Sequence, residues 1–410
     1  MAFVYNINST KKDKWSSRCL VIAHALGAVI SIFVSTFFVG HIYSLSSNVF
    51  DYIKNVGIYY IVVYIVFMLT IYFMGYITDK TNRICIYRIG LILRLVVVLV
   101  MIFFGQDLVT LLPLAGFMYG LAEGFYYSSY NVLKQEMISR TEMSKFATLI
   151  MALSKVVEIV TPILLGVLID SSSFAEAAIC VGVVSFAILV ISFFIKSQRP
   201  ESSGFNMRGF LRKLKEKNEA TDKIKLLYIA ALFYGVTTVV TAMLNICIML
   251  EFNTSVSLGW ITSLIGVISV LEIMLISKFT VEGKRNWMYV VTMLLPIFAS
   301  VLFVVYPCMA TIVIFNVLMG VSGIIFKTIY DIYRNGNLKE AGLYGEIAEH
   351  QVVVECLLSI VRLIGFIIVM VVGLLQSEIV FKVLLVLVSL SYSGVLYCLY
   401  IYEKRYKKGS

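Results

Sequence analysis

Eight charged side chains stand inside segments that are otherwise apolar: Arg94, Lys155, Lys327 and Arg362, with Glu123, Glu158, Glu272 and Glu355. An ionised group at the centre of a bilayer costs at least about 2.5–3.5 kcal/mol on insertion scales, so it turns inward and finds a partner. Each half of the chain holds two of each sign. Three kinds of chemistry suit such a set: ion pairing, proton transfer at a carboxyl whose surroundings change, and recognition of a charged solute. Complete mutual pairing would leave only the first. Depth along the helix sorts the candidates. Glu123 and Lys155 both lie about 13 Å inside their helices at 1.5 Å per residue, so they can pair. Lys155 and Glu158 also share a helix face at i,i+3. Glu158 and Arg362 are nearest mid-membrane, whereas Glu355 and Lys327 lie close enough to an interface to snorkel.

The elements that carry these charges follow from composition. The chain has 410 residues, 60% hydrophobic and 14% charged, with a mean hydropathy of +0.93. Soluble domains run nearer 45–50% apolar and about 25% charged. A helix needs about 20 apolar residues to cross a bilayer. Twelve segments meet that length: 19–41, 56–77, 86–105, 108–132, 146–169, 174–195, 226–250, 257–278, 287–306, 309–332, 351–375 and 380–402. The fold class expected is therefore all-α integral membrane. The polar stretch 196–225 divides it into an N-terminal six-helix bundle (1–195), a linker (196–225) and a C-terminal six-helix bundle (226–410). The apolar run after the basic residues 1–18 exceeds a signal-peptide core and is expected to be an uncleaved first span.

The net charge of +10 is explained by topology. Of 34 lysines and arginines, 28 fall in the termini, the linker and the even-numbered loops. Only Lys54 and Lys382 fall on the opposite side. The positive-inside rule then puts both termini in the cytoplasm of a multi-pass cell-membrane protein, and no nucleic-acid partner is needed. Within the linker, Arg208–Lys217 reads as a short basic amphipathic helix for the inner leaflet, or as a plain solvated segment. The seven cysteines contain no C-x-x-C pair and there are three histidines, so no metal site and no cofactor are expected.

The halves echo each other. Gly75-Tyr-Ile-Thr-Asp79-Lys80-Thr-Asn-Arg83 follows span 2, and Ser277-Lys-Phe-Thr280-Val-Glu282-Gly-Lys284-Arg285 stands at the same place after span 8. Gly120, Tyr130 and Asn131 match Gly320, Tyr330 and Asp331 at a spacing of 200, and Val157-Glu158 matches Val361-Arg362. With a six-plus-six topology, these pairs argue for two parallel repeats about an axis normal to the membrane.

On these residues the chain resembles the major facilitator superfamily. The family signature between helices 2 and 3 reads roughly G-x-x-x-D-[RK]-x-G-R-[RK]. Gly75, Asp79, Lys80 and Arg83 fit it, while Asn82 and Ile84 depart from it. A helix 5 pattern common in antiporters survives only as Pro162 and Gly166. The resemblance implies two pseudo-symmetric bundles and a gating motif at Gly75, Asp79, Lys80 and Arg83. In that motif the Asp79 carboxylate would latch onto the N-terminus of helix 11, where the helix dipole favours an anion. It also implies that helices 1, 4, 7 and 10 line a central cavity. The stripe Gly116, Gly120, Glu123, Tyr127 and Tyr130 on span 4, and Asn316, Gly320, Gly323, Lys327 and Asp331 on span 10, are expected to face it. His24 is a candidate relay or a packing histidine, and Thr237, Thr238, Thr241 and Asn245 are candidate donors.

The function expected is secondary active transport of a small molecule by alternating access. Protons would drive it through Glu123 or Glu158. Solute contacts are expected at Tyr127, Tyr130, Asn131, Lys155, Asn316, Lys327 and Arg362. The expected partners are that solute, protons and membrane lipid, and the chain is expected to be a monomer. No phosphate-binding loop suggests ATP hydrolysis, and no cluster of catalytic residues suggests an enzyme. A multidrug or lipid exporter on the same fold, and a non-transporting membrane receptor, are the alternatives.

Overall fold

The computed structural model describes residues 11–104, 109–137, 143–196, 204–216, 218–279, 285–308, 310–323, 343 and 346–406. Among the described residues every regular element is helical. Lipid offers no partner to backbone N–H and C=O groups, so each span must satisfy them internally. The first span runs through α1 (Lys11–Ile32), a π turn (Phe33–Phe37) and α2 (Phe38–Leu45). Next come α3 (Val49–Lys80), α4 (Arg83–Phe103), α5 (Leu112–Met137), α6 (Met143–Ser171) and α7 (Phe174–Ser192). A short helix, α8 (Met207–Lys215), lies in the linker. The second bundle contains α9 (Glu219–Phe252), α10 (Ser255–Phe279), α11 (Arg285–Val305), α12 (Ala310–Gly323), α13 (Ile347–Leu375) and α14 (Glu378–Tyr406).

Eight of the described helices are long and apolar enough to cross a membrane, and shorter apolar runs lie in α10, α11 and α12. With α5, whose hydropathy is lowered by Glu123 and its tyrosines, these occupy the twelve expected positions. Side-chain caps keep the connections short. Asn48 caps α3, Asn82 caps α4 and Ser173 caps α7. Asn218 and Thr221 form a reciprocal box on α9. Asn253 and Gln376 stop α9 and α13 in the left-handed conformation, at φ 52° and 51°.

Within the first bundle α3 and α4 pack on α5, α4 on α7 and α1 on α6. In the second, α9 packs on α13 and α14, and α11 on α14. The bundles meet along two seams, α3 against α13 and α6 against α10. At the end away from α8 the first seam is a backbone contact. A Cβ on Gly57 would lie 2.8 Å from the Met370 backbone, and one on Gly373 only 2.5 Å from the Lys54 nitrogen.

Two expectations are corrected here. The glycines of span 4 do not line a passage. A Cβ on Gly116, Gly120 or Gly124 would lie 2.8 Å from the Tyr59 carbonyl oxygen, 2.5 Å from that of Val63 and 2.5 Å from Thr70 Cβ. They are the surface on which α3 and α5 touch. The linker does form a basic amphipathic helix, but its apolar face is turned to protein. Met207, Phe210 and Leu214 are buried with Phe67 and Ile71 of α3, Ile224 of α9 and Val352 of α13. Just before α8, the Phe205 ring covers Gly75 and the Asn206 N–H donates to Glu349 of α13 at 2.8 Å. Lys213 pairs with Glu346. The linker is thus strapped to both bundles.

Candidate functional site

Arg94 lies on the stripe of α4 that includes Tyr87, Gly90, Leu91, Val97 and Met101, all buried. Gly90 lets α4 approach α5 until its Cβ position is 2.7 Å from the Tyr126 nitrogen. One turn further, that register sets Arg94 against Glu123. The pair is bidentate, with Nε donating to Oε1 at 2.7 Å and an Nη to Oε2 at 2.8 Å. Arg94 is 1% exposed and Glu123 6%. The guanidinium also lies 3.5 Å over the Tyr126 ring. His24 Nδ1 is 2.8 Å from the Tyr126 hydroxyl, and its ring stacks on Tyr130 at 4.0 Å. His24 and Tyr130 therefore belong to this polar core of the first bundle. The partner of Glu123 is Arg94 and not Lys155: equal depth does not mean equal azimuth.

Lys155 bonds Glu158 instead, at 2.5 Å on its own helix. Val156, Val160, Leu164 and Val167 form the exposed face of α6. Lys155 and Glu158 project from the opposite side, shared with Pro162 and Gly166, which pack on α10. Their partial exposure, 24% and 39% of the side chains, is therefore toward the space between the bundles.

The second bundle contributes Arg362, near the middle of α13. Its Nε donates to Thr238 Oγ1 of α9 at 3.1 Å, and its Cζ lies 5.2 Å from the Tyr64 ring centroid on α3. Tyr64 also stacks on Phe366 at 5.7 Å. Arg362 shares its face of α13 with Phe366 and Gly373, which meet α3, while Ile360, Ile364 and Ile368 are exposed on the other side. Tyr127 of α5 lies beside the buried pair of the first bundle, with Arg94 Cζ 5.8 Å from its ring centroid. Arg362, Thr238 and Tyr64 thus come together from three helices of both bundles. Tyr64 carried no signal in the sequence beyond being one of many tyrosines.

The other expected residues are placed as follows. Asn131 is half-buried, one turn beyond Tyr127. Asn316 is buried and donates to the Ile312 carbonyl at 2.9 Å. Gln351 donates to Glu355 at 2.9 Å. Lys327 and Asp331 lie outside the described residues, as do the side chains of Glu272 and Asp79. Of the gating motif, Gly75 lies under Phe205, Lys80 is exposed and the Arg83 Nε donates to the Thr78 carbonyl at 3.3 Å. Among the described residues no three His, Cys, Asp or Glu side chains gather as a metal-binding group.

The end remote from α8 is sealed across the bundles. Asp170, at the end of α6, accepts from the Ser255 and Val256 N–H groups of α10 at 3.1 and 2.9 Å. Asn245 of α9 donates to the Ser35 carbonyl at 3.4 Å, as does the Tyr60 hydroxyl at 3.2 Å. Ser35 lies in the π turn, whose wider ring frees a carbonyl for such donors.

A family model described as Major Facilitator Superfamily matches residues 19–337. Uncharacterized protein YqgE of Bacillus subtilis (strain 168) is 26% identical over 47% of the chain, a match that spans 44% of that protein's length. The human organic anion transporter MFSD10 superposes with a TM-score of 0.65 at 12% identity, covering 95% of this chain and 99% of that one. An inward-facing bacterial homologue of the iron transporter ferroportin gives 0.66 at 17%, covering 97% and 99%. The nucleoside transporter NupG gives 0.66 at 12%, covering 97% and 100%.

Proposed function

The chain belongs to the major facilitator superfamily, and on that premise we propose that it moves a small solute by alternating access between its two bundles. The observation that carries the reading is the polar meeting of Arg362, Thr238 and Tyr64 between the bundles at mid-membrane depth. A seam that served only adhesion would be apolar and small-residue packed, as it is at Gly57 and Gly373. The contacts at the end remote from α8 correspond to a seal on one side of that site. The neighbours of similar fold carry dissimilar cargoes, so the fold does not choose the solute.

Proton coupling is assigned to Glu158 ahead of Glu123. Glu158 is half-exposed to the inter-bundle space beside a lysine that can release it, whereas both oxygens of Glu123 are held by Arg94. The site lies in the cell membrane, with α8 and both termini on the cytoplasmic side. Spin-label pairs test the cycle: Asn48 with Ser377 at the remote end, and Thr81 with Lys404 at the α8 end. Two populations with opposite distance changes at the two ends are expected in proteoliposomes. A single rigid distance at both ends would remove the transporter reading in favour of a receptor.

A further inference from the structure

We infer that the solute is an organic oxyanion, a carboxylate, sulfonate or phosphate monoester, held by Arg362 with its apolar body against Tyr64. The transport part of this rests on the reading above; the binding part does not.

Charge and donor capacity set Arg362 apart from the other described intramembrane cations. Two of the four intramembrane cations, Arg94 and Lys155, are each answered by a glutamate. Arg362 differs: among the described residues it makes no ion pair. Among the described residues its one hydrogen bond is from Nε to a neutral hydroxyl, Thr238 Oγ1. A guanidinium has five N–H donors in a flat fork, and among the described residues no acceptor takes those of the two Nη groups. Arginine does not relieve burial by losing its proton. A mid-membrane cation of this kind is expensive unless something negative meets it. Thr238 fixes the fork from the Nε side and the Tyr64 face supports the cation. The Nη edge is then the part available for bidentate recognition of an oxyanion.

The position supports a solute rather than a structural anion. Arg362 faces the other bundle at the depth where neither end of the molecule is near. Thr238 shares its face of α9 with Thr241, which is exposed, and with Asn245, which bonds Ser35 of the first bundle. The aromatic surface of Tyr64 flanks the cation from the first bundle, so an anion bound there touches both halves.

The test uses the purified full chain with acetate, benzoate, benzenesulfonate and phenyl phosphate. Benzylamine and benzamide serve as the matched cation and neutral body. Thermal stabilisation by at least one aromatic anion is expected, with neither control stabilising. Affinity should fall about tenfold or more in R362Q and less in R362K, which keeps the charge but loses the fork. Should R362Q fail to fold, R362K together with T238V, which removes the group orienting the fork, carries the comparison. Stabilisation by benzylamine in place of the anions, by none of the probes, or equally in wild type and the Arg362 variants would overturn the assignment. Uptake of the labelled anion into proteoliposomes separates the two readings. Binding without uptake leaves the anion site standing and removes transport. Uptake of benzylamine but of no anion leaves transport standing and removes the anion site.

Discussion

A guanidinium gripped by both oxygens of one carboxylate and covered by an aromatic ring has no inexpensive way to lose its partner. That is the situation of Arg94 and Glu123. E123Q leaves a buried cation uncompensated, at a cost of about 3–5 kcal/mol. A large fall in thermal stability is expected, and R94M/E123L should recover most of it. If E123Q alone retains wild-type stability, the pair is not structural. Lys155 and Glu158 should behave differently because they are partly exposed and adjacent on one helix. K155M, which removes the cation, should cost about 1 kcal/mol or less, and E158Q, which leaves a partly exposed Lys155 without its counter-charge, more than K155M but less than E123Q. E158Q should instead abolish solute accumulation driven by a pH difference while sparing exchange, measured as two fluxes in proteoliposomes. Persistent accumulation in E158Q would remove it as the coupling group. The contrast was half legible in the sequence. Identity and depth of the eight charges could be read from spacing. Azimuth could not, because it depends on Gly90 setting how α4 lies on α5. The pairing of Lys155 with Glu158 was within reach only because both stand on one helix.

At the scale of the element, a helix N-terminus receives a carboxylate from the opposite bundle, but at the remote end. Asp170 takes the first two N–H groups of α10, where the dipole adds about 0.3–1 kcal/mol. D170N keeps the shape and removes the charge. It should move the ratio of closed to open remote ends by about two- to fivefold, seen in the Asn48–Ser377 distance distribution. An unchanged distribution would make Asp170 a simple cap. The same physics was expected of Asp79, because the family signature draws attention to that loop. No signature marks Asp170, and its partner is 85 residues away in sequence. The linker shows a related limit. Its alternation of Phe210 and Leu214 with Arg212 and Lys213 announces an amphipathic helix, but not whether lipid or protein covers the apolar face. That depends on Phe67, Ile71, Ile224 and Val352 converging from three other helices.

The whole molecule was the most legible level, since span length and charge asymmetry are set by the bilayer and need no knowledge of packing. What remained hidden was where the bundles touch, because backbone contacts such as Gly57 with Met370 exist only once two distant helices are side by side. Orientation is the global property that the charge asymmetry predicts, and a native thiol tests it. Cys308 is exposed in the turn between α11 and α12, on the side opposite the linker. The Thr311 hydroxyl lies 3.6 Å from its sulfur, and hydrogen bonding from Thr311 holds the thiol below its ordinary value. A lowered thiol value means more thiolate at neutral pH, and the thiolate is the form that alkylates. Reaction should therefore persist to lower pH than for an unperturbed cysteine and fade as the pH drops through the lowered value. Cys19, Cys247 and Cys398 are buried. Cys85 is exposed at the start of α4, on the linker side, and Cys180 is exposed on the membrane-spanning α7. A membrane-impermeant maleimide applied to intact cells at pH 7 should label the wild-type chain and leave C308S unlabelled. Labelling of Cys308 only after permeabilisation would invert the molecule, putting α8 and the basic loops outside and contradicting the positive-inside assignment.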